Sequence, residues 1–262
     1  MSAALVVWCD GAHGARFNMA RDAALLERAA SAERGGIVLR LFGFAPPGIT
    51  LGRNQDPARE LDLERVVAAK LEWAVRPTGG RAIYHDEEWT FSLATRLDAH
   101  GWARTASDAY ARTGALLARA LVGLGVPAEL SPGGRRGGLA PRAASDAAPP
   151  CFASTARHEL TVGGRKLAGI AQRAVRGALL QQGSVLLGES HLALADFLAV
   201  SPARREEARA GLAAAATAAG LPLQPREPLG RLAEAVAAAL PGCQRLQGEA
   251  GAAVLGLAGP GA

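Results

Sequence analysis

The sequence predicts an α+β fold, a mostly antiparallel sheet with flanking helices. Strand-like runs fall in two blocks, helical periodicity lies before, between and after them, and the second block reads as a three-stranded meander with glycine turns. The 262 residues, 49% of them hydrophobic, suffice for one large core. No stretch approaches the roughly 18 consecutive apolar residues of a membrane span, so a cytoplasmic protein is expected.

The first helix is expected over 18–32, where Met19, Ala23, Leu26 and Ala30 recur at helical spacing and Asn18 offers a cap. Residues 37–42 and 49–51, parted by Pro46, Pro47 and Gly48, read as strands about a turn. Helical spacing returns over 61–70, and a strand over 71–76 ends at Pro77. After Gly79 and Gly80, short strands are expected over 81–85 and 89–95. A helix over 107–124 carries Ala109, Leu116, Leu117, Ala120, Leu121 and Leu124 on one face and stops at Gly125. The segment 130–150 is rich in Pro, Gly and Arg without apolar periodicity; it reads as an exposed loop, either a lid or a surface insertion. Strands over 158–162, 165–173 and 178–187 follow, turning at Gly163 and Gly164 and near Gly177. Beyond His191 the chain is Ala-rich and helical in pattern, interrupted at Pro202, at 222–228 and at Pro241.

A formal net charge of +5 favours an acidic partner, which by charge alone is nucleic acid, a membrane surface or an acidic protein. With only 5% aromatic residues, a base-stacking platform is disfavoured. Three widely spaced cysteines, Cys9, Cys151 and Cys243, suggest neither a disulfide framework nor a four-ligand zinc site, and leave a working thiol open.

Several residues carry candidate chemistry. The glycine pair at 79–80 follows Arg76, Pro77 and Thr78, and lets a ligand approach main-chain NH groups; on spacing alone a hairpin turn explains it equally well. His85 and Asp86 are adjacent on a strand and point to opposite faces, which favours a structural histidine over a base with its partner. Cys151 follows Pro149 and Pro150 at the end of the loop: it reads as an acyl-accepting thiol or as a small buried apolar residue. Lys166 sits early in a strand with Ala168 and Ile170 expected on its face, either as a functional amine or as an edge-guarding lysine.

Together, the stretches 18–20, 47–55, 76–92 and 151–187 resemble the lipoate-protein ligase and octanoyltransferase family, related in fold to biotin protein ligases. Val75 stands where the family has the first of two arginines, and Gln182 where histidine is expected more often. The resemblance implies a biotin/lipoate protein ligase catalytic domain over 1–190, with 191–262 as a helical extension packed on it. It implies Cys151 and Lys166 as catalytic residues and Arg76, Thr78, Gly79, Gly80, His85, Gly169 and Ala171 as the acyl site. The form of 85–92 and the segment around Cys151 resemble the transferase branch. The implied activity is transfer of octanoyl from octanoyl-acyl carrier protein, through a cysteine thioester, to a lysine of a lipoyl-domain protein such as the glycine cleavage H protein. That route needs no metal or other cofactor, nucleic acid or membrane. The alternatives are an ATP-dependent lipoate ligase lacking its accessory domain, which would use Mg-ATP, and a non-catalytic acyl-carrier-binding module.

Overall fold

The computed structural model describes residues 5–31, 36–97, 101–131, 159–220 and 223–257. Its elements run β1 (Leu5–His13), α1 (Ala15–Ala30), β2 (Ile37–Phe44), β3 (Gly48–Leu51), α2 (Pro57–Glu60), α3 (Leu63–Ala68), β4 (Glu72–Val75), β5 (Ile83–His85), β6 (Glu88–Arg96), α4 (Ala106–Gly123), β7 (Glu129–Leu130), β8 (Leu160–Val162), β9 (Arg165–Val175) and β10 (Ala178–Leu186). A 3-10 helix (Ser190–Phe197), α5 (Pro202–Ala215), α6 (Leu229–Ala239), β11 (Gln244–Gln247) and α7 (Gly248–Val254) complete the described chain.

Every residue of β10 is buried, because the strand lies inside an eight-stranded sheet of order β11-β1-β2-β6-β10-β9-β8-β7 and is covered on both faces. Only the β11–β1 and β1–β2 pairings in it are parallel. The meander expected from the glycine turns is present: Gly163 and Gly164 take φ of +56° and +76°, a region glycine enters at little cost, and the chain reverses there from β8 into β9. A second sheet, β4-β3-β5, stands apart from the first.

Alternation along the strands decides what each face meets. On one face Leu39, Leu41, Phe91, Leu93 and Val185 pack against Leu116, Leu117 and Leu121 of α4 and Leu232 and Val236 of α6. On the other, Val38, Ala94 and Leu180 pack under Leu25, Leu26 and Ala29 of α1 and Ala252 beside α1 in α7.

Sequence reasoning missed β1, β7 and β11. It placed the start of α1 at Asn18, whereas the N-cap is Gly14 and the Asn18 side chain donates to the carbonyls of His13 and Gly43. The inner stripe of α1 is Ala15, Asn18, Met19, Asp22, Leu25, Leu26 and Ala29, and Ala23 faces solvent. The apolar pattern pointed elsewhere because polar Asn18 and Asp22 interrupt this stripe and Arg21 is buried beside it. The segment from 191 onward, helical in pattern, also supplies β11, which pairs Val6 with Gln244. Residues 132–158, including most of the expected loop and Cys151, lie outside the described residues.

Candidate active site

Two cross-sheet rows beneath the first half of α1 build the site. Strand register aligns Arg40, Ser92, Gln182 and Ala171 in one row, and Phe42, Thr90, Ser184 and Gly169 in the next. The second row floors a narrow cleft walled by Met19 of α1, by Phe44, by Thr50, Ile83 and His85 of the small sheet, and by Arg76. Glu159, Lys166, Ile170 and Ala171 close the remaining side, and the space left is about 50 Å³, room for about three waters.

His85 is held on every side. Its ring stacks on Phe44 with centroids 4.0 Å apart, Nδ1 lies 2.6 Å from Glu88 Oε1, and Nε2 lies 2.7 Å from Thr50 Oγ1. Glu88 Oε1 also accepts from Thr90 Oγ1 and Ser184 Oγ, which places a donor on Nδ1, and Thr50 Oγ1, which accepts from Arg76, faces Nε2. The partner of His85 is therefore Glu88 three residues on, which returns on the next strand; Asp86 turns outward to Arg226.

Lys166 enters the cleft from the second position of β9, and its Nζ lies 2.8 Å from Glu159 Oε1, with both side chains almost fully buried. The main chain of Lys166 is fixed from outside, where its carbonyl accepts from Thr217 N just past α5. Ala168, expected beside it, joins the core cluster with Leu160 and Leu167. A buried charge is tolerated when paired and hydrogen-bonded, so Glu159 allows an ammonium group to stand in an apolar-walled cleft.

The glycine loop is braced by Arg76, whose guanidinium donates to the carbonyls of Gly79, Arg81 and Thr50. Gly80 takes φ of +96°, and its carbonyl comes so near Gly52 that a Cβ there would lie 2.0 Å from the oxygen. Gly79 differs: among the described residues, a Cβ at that position would meet nothing within 4 Å, so one side of the loop is open there.

Of the residues named from sequence, Arg76, His85, Lys166, Gly169 and Ala171 line one cleft. Thr78 is fully buried behind it, and Gly79 and Gly80 lie against Gly52. Sequence reasoning missed Glu159, Glu88 and Met19; Glu88 was legible only as a carboxylate three residues after a histidine, and Glu159 carried no signal. Met19 and Arg76 also border an open groove of about 610 Å³, which Arg16, Arg53 and Arg173 make basic.

The fold is shared with solved lipoate protein ligases. It matches a chain in the structure of a bi-partite lipoate protein ligase and its E2 lipoyl domain from Thermoplasma acidophilum, with a TM-score of 0.70, 17% identity, and coverage of 97% of this chain and 90% of that one. The chain belongs to the lipoyl protein ligase A/B catalytic domain family, whose model matches residues 14–237. It is similar to octanoyltransferase LipM of Kyrpidia tusciae, 37% identical over 179 residues that make up 68% of this chain and 64% of that protein. It is also similar to octanoyltransferase LipM of Moorella thermoacetica, 39% identical over 149 residues, 57% of this chain and 53% of that protein. The chain thus spans less than two thirds of the length of these two relatives.

Proposed function

We propose that the protein transfers octanoyl from octanoyl-acyl carrier protein to a lysine of a lipoyl-domain protein, with Cys151 as the intermediate acyl carrier. The observation that carries this reading is the buried Lys166–Glu159 pair, which holds the Lys166 amine in the narrow cleft that Arg76, at the foot of the glycine loop, also lines. The names of the relatives support the acyl group and the transferase branch.

In the first half-reaction the Cys151 thiolate attacks the carrier thioester carbonyl; the new C–S bond forms, the old one breaks, and the carrier thiolate takes up a proton. Lys166 donates a hydrogen bond to the carbonyl oxygen as negative charge grows there. Loss of one such donor costs about 3 kcal/mol of barrier. In the second, the neutral amine of the acceptor lysine attacks the Cys151 thioester carbonyl; the C–N bond forms, the C–S bond breaks, and the proton lost by the amine passes to the leaving Cys151 sulfur, giving the amide and the free thiol. The basic groove beside the cleft suits an acidic carrier, and the lipoyl-domain acceptor, such as the glycine cleavage H protein, approaches the same mouth. The route uses no metal or nucleotide.

Mass spectrometry of the purified protein mixed with octanoyl-acyl carrier protein, without nucleotide, tests the proposal. An octanoyl adduct on the Cys151 peptide, discharged by an apo lipoyl domain, is expected. No adduct, together with ATP-dependent attachment of free lipoate, would identify a ligase.

A further inference from the structure

One buried side chain joins the glycine loop to the charged network under α1. Gln182, at the centre of β10 and 5% exposed, accepts through Oε1 from Thr78 Oγ1 at 2.7 Å and from Thr78 N at 3.3 Å. Its Nε2 donates to Asp22 Oδ2 at 2.5 Å and faces Met19 Sδ at 3.4 Å. The other oxygen of Asp22 accepts from Arg40 NH1 and Ser92 Oγ at 2.8 and 2.7 Å. Arg40 reaches on to Asp10 and Asn18, and Arg21 ties Asp10 to Glu249 of α7.

The amide orientation is dictated by its neighbours. Asp22 offers only acceptors when ionised, so the NH2 must face it, and the carbonyl is then turned toward the two donors of Thr78. Gln182 thus converts a fixed anion in the sheet-facing surface of α1 into an acceptor aimed at the loop. Asparagine is a methylene too short to span both partners, and glutamate would set two carboxylates against each other. Beyond this contact, the loop is braced by Arg76, by Arg53 N donating to the Thr78 carbonyl at 3.0 Å, by Arg173 donating to the Pro77 carbonyl at 3.4 Å, and by the approach to Gly52.

We infer that Gln182 is a positioning residue: through Thr78 it sets where the open side of Gly79 stands relative to Lys166, and so the placing of the acyl carbonyl. This rests on the acyl-transfer reading of the cleft. A displaced loop costs rate out of proportion to stability, because a misplacement of about 1 Å costs roughly 100-fold.

The test pairs activity with a measurement that does not depend on it. In Gln182→Leu, amide hydrogen exchange in peptides covering 76–83 should rise roughly tenfold while β6 and β10 stay protected, with kcat for acyl transfer falling at least about tenfold. Gln182→His, whose neutral ring has one donor and one acceptor nitrogen, should restore both readouts at least in part. Thr78→Val guards against a simple folding defect: if Gln182 acts through Thr78, adding Gln182→Leu to it costs little further rate, whereas independent losses multiply. Unchanged loop exchange in Gln182→Leu, or multiplicative losses in the double variant, overturns the inference. If wild type forms no acyl adduct, the acyl-transfer reading fails, and loop exchange still judges the Gln182–Thr78 link.

Discussion

Lys166 Nζ and Glu159 Oε1 meet at 2.8 Å with their side chains only 3% and 6% exposed, one entering from the second residue of β9 and the other from the residue before β8. Such a pair stands or falls together. Removing one member of a buried ion pair costs about 3–5 kcal/mol, whereas replacing both by apolar residues of similar volume is often close to neutral. Lys166→Ala should therefore lose acyl transfer and also melt lower, while Lys166→Met with Glu159→Leu should melt near wild type and remain inactive. Denaturant titration and adduct formation, measured side by side, separate the two effects. Transfer by the apolar double variant at a near-normal rate would show that the pair is structural only.

Cys151→Ser separates thioester transfer from ATP-dependent ligation. It should abolish the octanoyl adduct or trap it as a stable oxygen ester, read by intact-mass and peptide mass spectrometry. Cys9 is not expected to compete, because burial pushes its thiol above the ordinary 9.0 and the neutral thiol is a poor nucleophile. An adduct found on Cys9 or Cys243 would keep the chemistry and move the site.

Met19 is the flexible wall of the cleft, 7% exposed and shared with the basic groove. With about 50 Å³ of free space, the cleft must widen before an acyl chain enters, and an unbranched thioether is suited to that. Met19→Ala should cost about 2–5 kcal/mol of stability and raise the rate with dodecanoyl relative to octanoyl donors. An unchanged ratio across chain lengths would place the limiting wall elsewhere.

Stability should fall on the acid side of neutrality. Burial pushes the His191 imidazole below its ordinary 6.5, against the opposing effects of the Gly188 backbone, Glu88 and Glu189, while Arg165 acts in the same direction as burial. The unfolded chain then takes up a proton that the folded protein refuses. The stability linked to this group is whole above 6.5 and declines as pH drops through that value toward the lower folded one. Thermal melts between about pH 7.5 and pH 5.5 should show a shallower decline in His191→Gln than in wild type. Parallel slopes would exclude His191 as the source.

The meander was readable because its signals are local. Gly163 and Gly164 require a turn, and the runs on either side alternate or stay apolar as β8, β9 and β10 do. The α4 helix was readable for the same reason, with its apolar face at helical spacing and Thr105 capping its first turn. The strand β1 was not, since Leu5–His13 ends in Asp10, Gly11 and His13, and only pairing with β2 and β11 satisfies its main chain.

By itself the sequence determined the fold class, the order of most elements, and the residue types that could bear acyl chemistry, because periodicity and turn chemistry act within a few residues. The tertiary structure alone decided which of them meet. Arg40, Ser92 and Gln182 become one polar row only when β2, β6 and β10 take their hydrogen-bond register, and Glu159 finds Lys166 only when β8 folds back on β9. No local pattern in sequence marks a buried Asn18 or Asp22 as inward-facing. Their burial is stable because partners distant in sequence arrive around them: Arg40 donates to both, Ser92 and Gln182 donate to Asp22, and the Gly43 carbonyl accepts from the Asn18 amide.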